Sequence, residues 1–247
     1  MKKFIALAGA AAISGLALTG AARAEDAREF SWSFTAGATS DYIFRGLSLN
    51  NEKPAAQGSI DIGYGIFYAG AWASNVSGDG YQPLEVDLYA GLKPVLGAVT
   101  FDFGIIGYTY PVTGVKSLDY VEFKAGASTE LMKNLNGTVT LYYTPDAANY
   151  PETFTVEGTL GYTLPEVGIF TPTLSGTLGY AEDTDNAGAF SDFTDSYVYW
   201  NVGLALAVEK LTFDFRYWDT NLDQIADDTY YGLSDSRFVF SAKVTLP

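Results

Sequence analysis

From residue 30 onward, apolar and polar side chains alternate in steps of two along a series of short segments. Successive side chains of a β-strand point to opposite faces, so each such segment has one apolar and one polar face. The first, Phe30 to Phe44, sets Trp32, Phe34, Ala36, Ala38, Tyr42 and Phe44 against Ser33, Thr35, Thr39 and Asp41. The second, about Ala55 to Tyr64, opposes Ile60, Ile62 and Tyr64 to Gln57, Ser59 and Asp61. The third, Phe67 to Val76, is apolar or small on both faces, and its parity stays open. The fourth places Leu84, Val86, Leu88, Ala90 and Leu92 opposite Glu85, Asp87 and Tyr89. Eight further segments follow the same rule, up to Phe238, Phe240, Ala242, Val244 and Leu246 against Arg237, Ser241 and Lys243. No helical period recurs after residue 25, so the chain reads as all-β with about twelve strands.

Charge sharpens the pattern. The segments with two or three charges carry Glu85 and Asp87, then Glu122, Lys124 and Glu130, then Asp214 and Arg216, then Arg237 and Lys243. Every one lies on the polar face. A lipid-facing Lys or Arg at mid-depth costs roughly 2–4 kcal/mol, and an acid somewhat less. A soluble barrel would alternate equally well with its faces exchanged, so alternation alone does not decide. The connectors do. Short ones at Gly63–Ile66, Lys93–Gly97, Met132–Asn136, Pro165–Phe170 and Glu209–Lys210 alternate with mostly longer ones. The longer set is Arg45–Lys53, Asn75–Pro83, Pro111–Leu118, Pro145–Glu152, Ala181–Ser196 and Asp219–Asp235. Short turns at one end and long loops at the other mark an antiparallel transmembrane β-barrel with an even strand number. Trp32, Tyr42, Trp72, Tyr162, Tyr180, Trp200, Tyr217 and Trp218 are expected to form its interfacial girdles.

The N-terminus predicts the compartment. Lys2 and Lys3 precede an apolar run from Phe4 to Leu18, and Ala22-Arg23-Ala24 is a small-x-small cleavage site. This is the pattern of a secretory signal peptide, and the run is shorter than a membrane span needs. Residues 1–24 are therefore expected to be removed, leaving 25–247 as the barrel. Export to a Gram-negative outer membrane implies contact with lipid, lipopolysaccharide and the barrel assembly machinery. The chain ends on Pro247 rather than on the aromatic residue usual in such barrels, and slightly less efficient insertion is expected.

Composition excludes several function classes. The chain carries 14 Lys+Arg against 29 Asp+Glu. Loss of Lys2, Lys3 and Arg23 would leave 11 bases, so phosphate-dependent nucleic-acid binding is not expected. There is no cysteine and no histidine. Disulfides, thiolate sites, histidine bases and histidine metal ligands are thereby removed. No enzyme, cofactor or metal centre is predicted. Asp183-Thr184-Asp185-Asn186-Ala187-Gly188 opens like a calcium loop, but position 12 is Thr194, not Glu. The acids of the last two long loops bind divalent ions loosely at the lipopolysaccharide layer or simply solvate those loops.

The first third of the chain is more specific. Ser40-Asp41-Tyr42-Ile43-Phe44-Arg45-Gly46-Leu47-Ser48 leads to Pro54-Ala55-Ala56-Gln57-Gly58-Ser59-Ile60-Asp61. Then follow Phe67-Tyr68-Ala69-Gly70-Ala71-Trp72-Ala73-Ser74-Asn75-Val76 and Glu85-Val86-Asp87-Leu88-Tyr89-Ala90-Gly91. These resemble the TorF-type porin family of proteobacteria, strongly over residues 38–91 and loosely through Tyr120-Val121-Glu122. The resemblance implies an outer-membrane barrel and a pore.

The polar face supplies the pore-lining candidates: Asp41, Asp61, Glu85, Asp87, Asp102, Glu122, Glu157 and Asp214, with Lys124, Arg216, Arg237 and Lys243, and Arg45 at the rim. Strands one, twelve and eleven are neighbours in a closed barrel. Asp41, Arg45, Arg237 and Arg216 are therefore expected on one wall, and Asp61, Glu85 and Asp87 on another. Opposed charge rows orient dipolar solutes and set ion preference. The excess of acids predicts passive diffusion of small hydrophilic solutes or ions with cation preference. The alternative is a closed structural or interaction barrel, its charges paired across the lumen and its acidic loops presented outward. Asp41 to Gly46 reads either as a binding site or as a strand end with an interfacial Tyr, a salt-bridged Arg and a turn glycine. Monomer and homo-oligomer are equally compatible with the sequence.

Overall fold

A computed structural model describes residues 29–77, 83–111, 119–146, 151–184, 195–222 and 231–247. Twelve antiparallel strands close into a barrel. They are β1 (Phe30–Thr39), β2 (Ala55–Tyr64), β3 (Phe67–Asn75), β4 (Leu84–Leu92), β5 (Val99–Thr109) and β6 (Tyr120–Met132). The second half is β7 (Leu135–Thr144), β8 (Thr153–Thr163), β9 (Thr171–Asp183), β10 (Ser196–Val208), β11 (Leu211–Thr220) and β12 (Arg237–Leu246). Each strand pairs with its sequence neighbours, and β1 pairs with β12 from Phe34↔Leu246 to Thr39↔Ser241, which closes the ring. Closure leaves no unpaired edge, a condition for strands in hydrocarbon, where a free N–H or C=O finds no water.

The faces sort as the alternation predicts. Phe34, Ile60, Leu88, Phe103, Phe123, Leu141, Leu160, Leu178, Val202, Phe215 and Phe240 all point outward and are exposed. Among the buried residues are Ser59, Asp61, Glu85, Asp87, Glu122, Thr155, Ser175, Asn201 and Arg216. This inside-out arrangement is that of a barrel solvated by lipid. The tight connectors all sit at one end. Each holds a residue in the left-handed region: Gly65 (φ 63°), Gly97 (62°), Asn134 (67°), Gly168 (63°) and Glu209 (52°). Among the described residues the one helical piece is a short 3₁₀ turn, Tyr231–Ser234.

Two expectations are corrected and one open point is decided. β1 stops at Thr39 and does not run on to Phe44. Ser40 holds Phe240 on β12 through both of its polar groups, and Thr39 Oγ1 donates to the Asp41 carbonyl (2.7 Å), which bends the chain inward. Tyr42, Trp72 and Trp218 are not girdle residues; they are 1%, 2% and 7% exposed and face the interior. β3, whose parity the sequence left open, turns Tyr68, Trp72 and Ser74 inward and Phe67 outward. Trp32, Tyr162, Tyr180 and Trp200 do face outward.

Candidate functional site

The loop after β1, residues 40–54, folds into the barrel. Ile43–Phe44 pairs with Leu47–Ser48 as a minimal hairpin whose tip is Arg45-Gly46. Both tip residues have positive φ, 51° and 85°. Gly46 also lies against Tyr199 of β10 and Thr220 of β11, where a Cβ would have no room. Glycine is required there on both counts.

Arg45 is not at the rim beside Arg237. It reaches the far wall, where its two terminal nitrogens bond both oxygens of Glu122 on β6 (2.8 and 3.0 Å). Its guanidinium lies over the Phe44 and Tyr142 rings at 4.7 and 4.5 Å. Tyr197 Oη donates to the Arg45 carbonyl (3.0 Å). A planar, five-donor cation suits this combination of fork and ring stacking as Lys would not. Burial works against the Arg45 charge, yet the Glu122 carboxylate outweighs it and raises the pKa above its ordinary value.

The base of the loop is tied separately. Asp41 takes Arg237 Nη1 (2.9 Å) and Ser48 Oγ (2.7 Å), and Arg237 also contacts Glu52 (3.1 Å). Burial nevertheless pushes the Asp41 carboxyl up from its ordinary value, against the pull of Ser48 and Arg237.

Most other inner-face candidates are answered locally. Lys124 of β6 pairs with Asp102 of β5 (2.9 Å), which also receives the Tyr68 hydroxyl (2.8 Å) and a longer contact from Lys93 (3.8 Å). Arg216 and Asp214, two apart on β11, form two hydrogen bonds, and Arg216 extends to Ser175 on β9 (3.0 Å). Asp61 accepts from Tyr89 and from Ser59. Glu85 accepts from Tyr42 (2.8 Å) and Glu157 from Tyr199 (2.6 Å). Lys243 lies on the inner face of β12, with Asp214 of β11 as the charge acting on it. Asp87 has no hydrogen-bond partner on either oxygen. Asp41, Arg237 and Arg216 thus share a wall as expected. Arg45 departs from it because the hairpin carries it across.

The tyrosines that cap the acids were only partly readable. Parity places Tyr89, Tyr108 and Tyr199 on the polar face, but their hydrogen bonds to Asp61, Glu122 and Glu157 are visible only in the structure. Tyr68 and Trp72 carried no signal, because alanines and glycines flank them on both faces of β3. Glu182 and Asp183 belong to the end of β9. Asp185, Asp192, Thr194, Asp223, Asp227 and Asp228 lie outside the described residues. So does the expected signal peptide.

Residues 23–246 match the family model described as "Bacterial protein of unknown function (Gcw_chp)". The chain belongs to the Gcw_chp family. That family name is what the match supports, and it does not extend to the TorF-type name. No curated protein matches the sequence. Among solved structures, this Gcw_chp barrel is similar to KdgM porin, with a TM-score of 0.57 at 9% identity over 87% of this chain and 99% of that one. NanC porin is similar too, with a TM-score of 0.55 at 12% identity over 88% and 100%. A second KdgM structure, in complex with disordered oligogalacturonate, gives 0.56 at 8% identity over 88% and 100%. At these identities the likeness shows a shared porin-type barrel fold.

Proposed function

We propose that this chain is an outer-membrane channel for passive diffusion of small hydrophilic solutes or ions, constricted by the hairpin of residues 40–54. The observation that carries this reading is the hairpin itself. It crosses an interior lined with charged and hydrogen-bonding groups; its tip is held there by the buried Arg45–Glu122 pair, while Tyr42, Leu49 and Ile43 pack on the walls to either side. Transport then depends on the space left beside the hairpin and on the charges that border it. Twelve strands enclose a lumen between the filled eight-stranded and the open sixteen-stranded cases.

The inner-face candidates are its pore-lining set. Asp41, Asp61, Glu85, Asp87, Asp102, Glu122, Glu157 and Asp214 outnumber Arg45, Lys124, Arg216, Arg237 and Lys243, which supports cation preference. The oligogalacturonate of the KdgM complex is an anion. The acid excess here favours cations and neutral solutes instead. The tight-turn end faces the periplasm, the long loops face lipopolysaccharide, and residues 1–24 are removed on export. The TorF-type resemblance over residues 38–91 supports the same reading.

One observation favours the closed structural barrel. Tyr42 and Leu49 of the hairpin pack with Trp72, Tyr89, Tyr108 and Tyr110 in one buried cluster, and Ile43 packs with Tyr197, Tyr199 and Trp218 in another, so apolar side chains narrow the interior on both sides of the hairpin. Liposome swelling with sugars of graded size separates the two. Swelling with a small-sugar cutoff supports the channel; folded barrels that admit no solute, with or without the hairpin anchor, support the closed form.

A further inference from the structure

Glu85 and Asp87 stand two apart on the inner face of β4, near its long-loop end. Asp87 is 0% exposed and neither of its oxygens has a hydrogen-bond partner. Glu85 is 1% exposed; the Tyr42 hydroxyl donates to its Oε1, Tyr110 is a second hydroxyl at this carboxylate, and Oε2 has no partner. In the sheet, Asp87 sits between Trp72 of β3 and Tyr108 of β5. Tyr42 of the hairpin packs on Trp72 with ring centroids 5.3 Å apart. The charges acting on Asp87 are Glu85 and Glu122, both acids. Arg45, the cation the hairpin brings in, is already held by both oxygens of Glu122.

Buried carboxylates are found paired, hydrogen-bonded or bound to a cation, because an isolated one loses its hydration with nothing in return. Three oxygens here meet none of the first two conditions. We propose that Glu85 and Asp87 hold a small, partly dehydrated cation inside the barrel, between Trp72 and Tyr108. A proton would provide one donor bond, whereas a cation touches several oxygens at once. Hard cations such as Na⁺ and Ca²⁺ take carboxylate oxygens. Among the described residues no three metal-ligating side chains gather. The site is therefore a two-carboxylate one, completed by hydroxyl or water oxygens. It needs no current through the barrel, so it stands or falls separately from the channel reading.

Trp72 is a built-in reporter. The full chain, folded and heat-modifiable in detergent micelles, is titrated with CaCl₂ and separately with NaCl while tryptophan fluorescence is followed. N-methylglucamine chloride, whose cation is too bulky for the site, holds the ionic strength constant. The expected result is a saturable change with one of the two metal ions, for calcium in the range of about 0.1–1 mM. It is lost in Asp87→Asn, and it is lost in Trp72→Phe. If Asp87→Asn does not fold, Glu85→Gln carries the same comparison. A folded wild type with no saturable response overturns the proposal. So does a response that survives Trp72→Phe, or one that follows pH alone and is equal in every salt, since a proton then occupies the carboxylates.

Discussion

Glu209 turns the chain between β10 and β11 with φ at 52°, where the other tight connectors use glycine or asparagine. A side chain with a Cβ strains in that region by roughly 1–2 kcal/mol, and asparagine tolerates it best. Glu209→Asn is expected to raise barrel stability by about 1 kcal/mol, read as a shift of the urea midpoint at unchanged slope. Asp41 makes a pH prediction. Its folded pKa lies above the ordinary 3.8, so the folded state holds this proton more tightly than the unfolded chain. Its contribution to stability is fully present below 3.8 and declines as pH rises through the interval up to the folded value, then stays level. Urea midpoints of wild type and Asp41→Asn should therefore change relative to each other only within that acid interval. A difference that keeps changing toward neutral pH assigns the effect to another group.

At the scale of elements, the hairpin of residues 40–54 is the part that distinguishes this barrel from a plain cylinder. Its anchor is a bidentate, buried ion pair, and removing one partner of such a pair typically costs 3–5 kcal/mol. Arg45→Ala should free the hairpin, leave Glu122 unpaired and lower the urea midpoint. Adding Glu122→Gln to Arg45→Ala should recover part of the loss, because the unpaired charge is gone. If the two single losses simply add in the double variant, the pair does not hold the hairpin. This element was the least legible from sequence. Ser40 to Ser48 continues the alternation of β1 closely enough to read as more strand. The inward bend depends on Ser40 meeting Phe240, a contact between the two ends of the chain. β3 was obscure for another reason. Gly70 on its inner face leaves room for the Tyr89 hydroxyl, and Ala69, Ala71 and Ala73 line its outer face, so small residues on both faces erase the polarity difference. The other strands, whose neighbours are sequence neighbours, were legible, since their pairing needs only parity and short turns.

At the scale of the molecule, apolar outside and charged inside is a statement about solvent. Leu88 projects from mid-β4 and is 58% exposed. Leu88→Lys should cost roughly 2–4 kcal/mol in a bilayer, read by urea unfolding in vesicles, whereas a water-facing position would be indifferent. The inner charges were readable as a set but not as pairs. Parity placed Asp102, Lys124, Asp214 and Arg216 inside, while only the closed register brings Arg237 to Asp41 and carries Arg45 to Glu122.

The most direct test is single-channel conductance in planar bilayers under a salt gradient, with wild type and the Arg45→Ala/Glu122→Gln double variant side by side. A hairpin-constricted channel predicts discrete steps with a cation-selective reversal potential, and larger steps once the anchor is removed. Folded, heat-modifiable barrels that give no steps in either form would contradict the account.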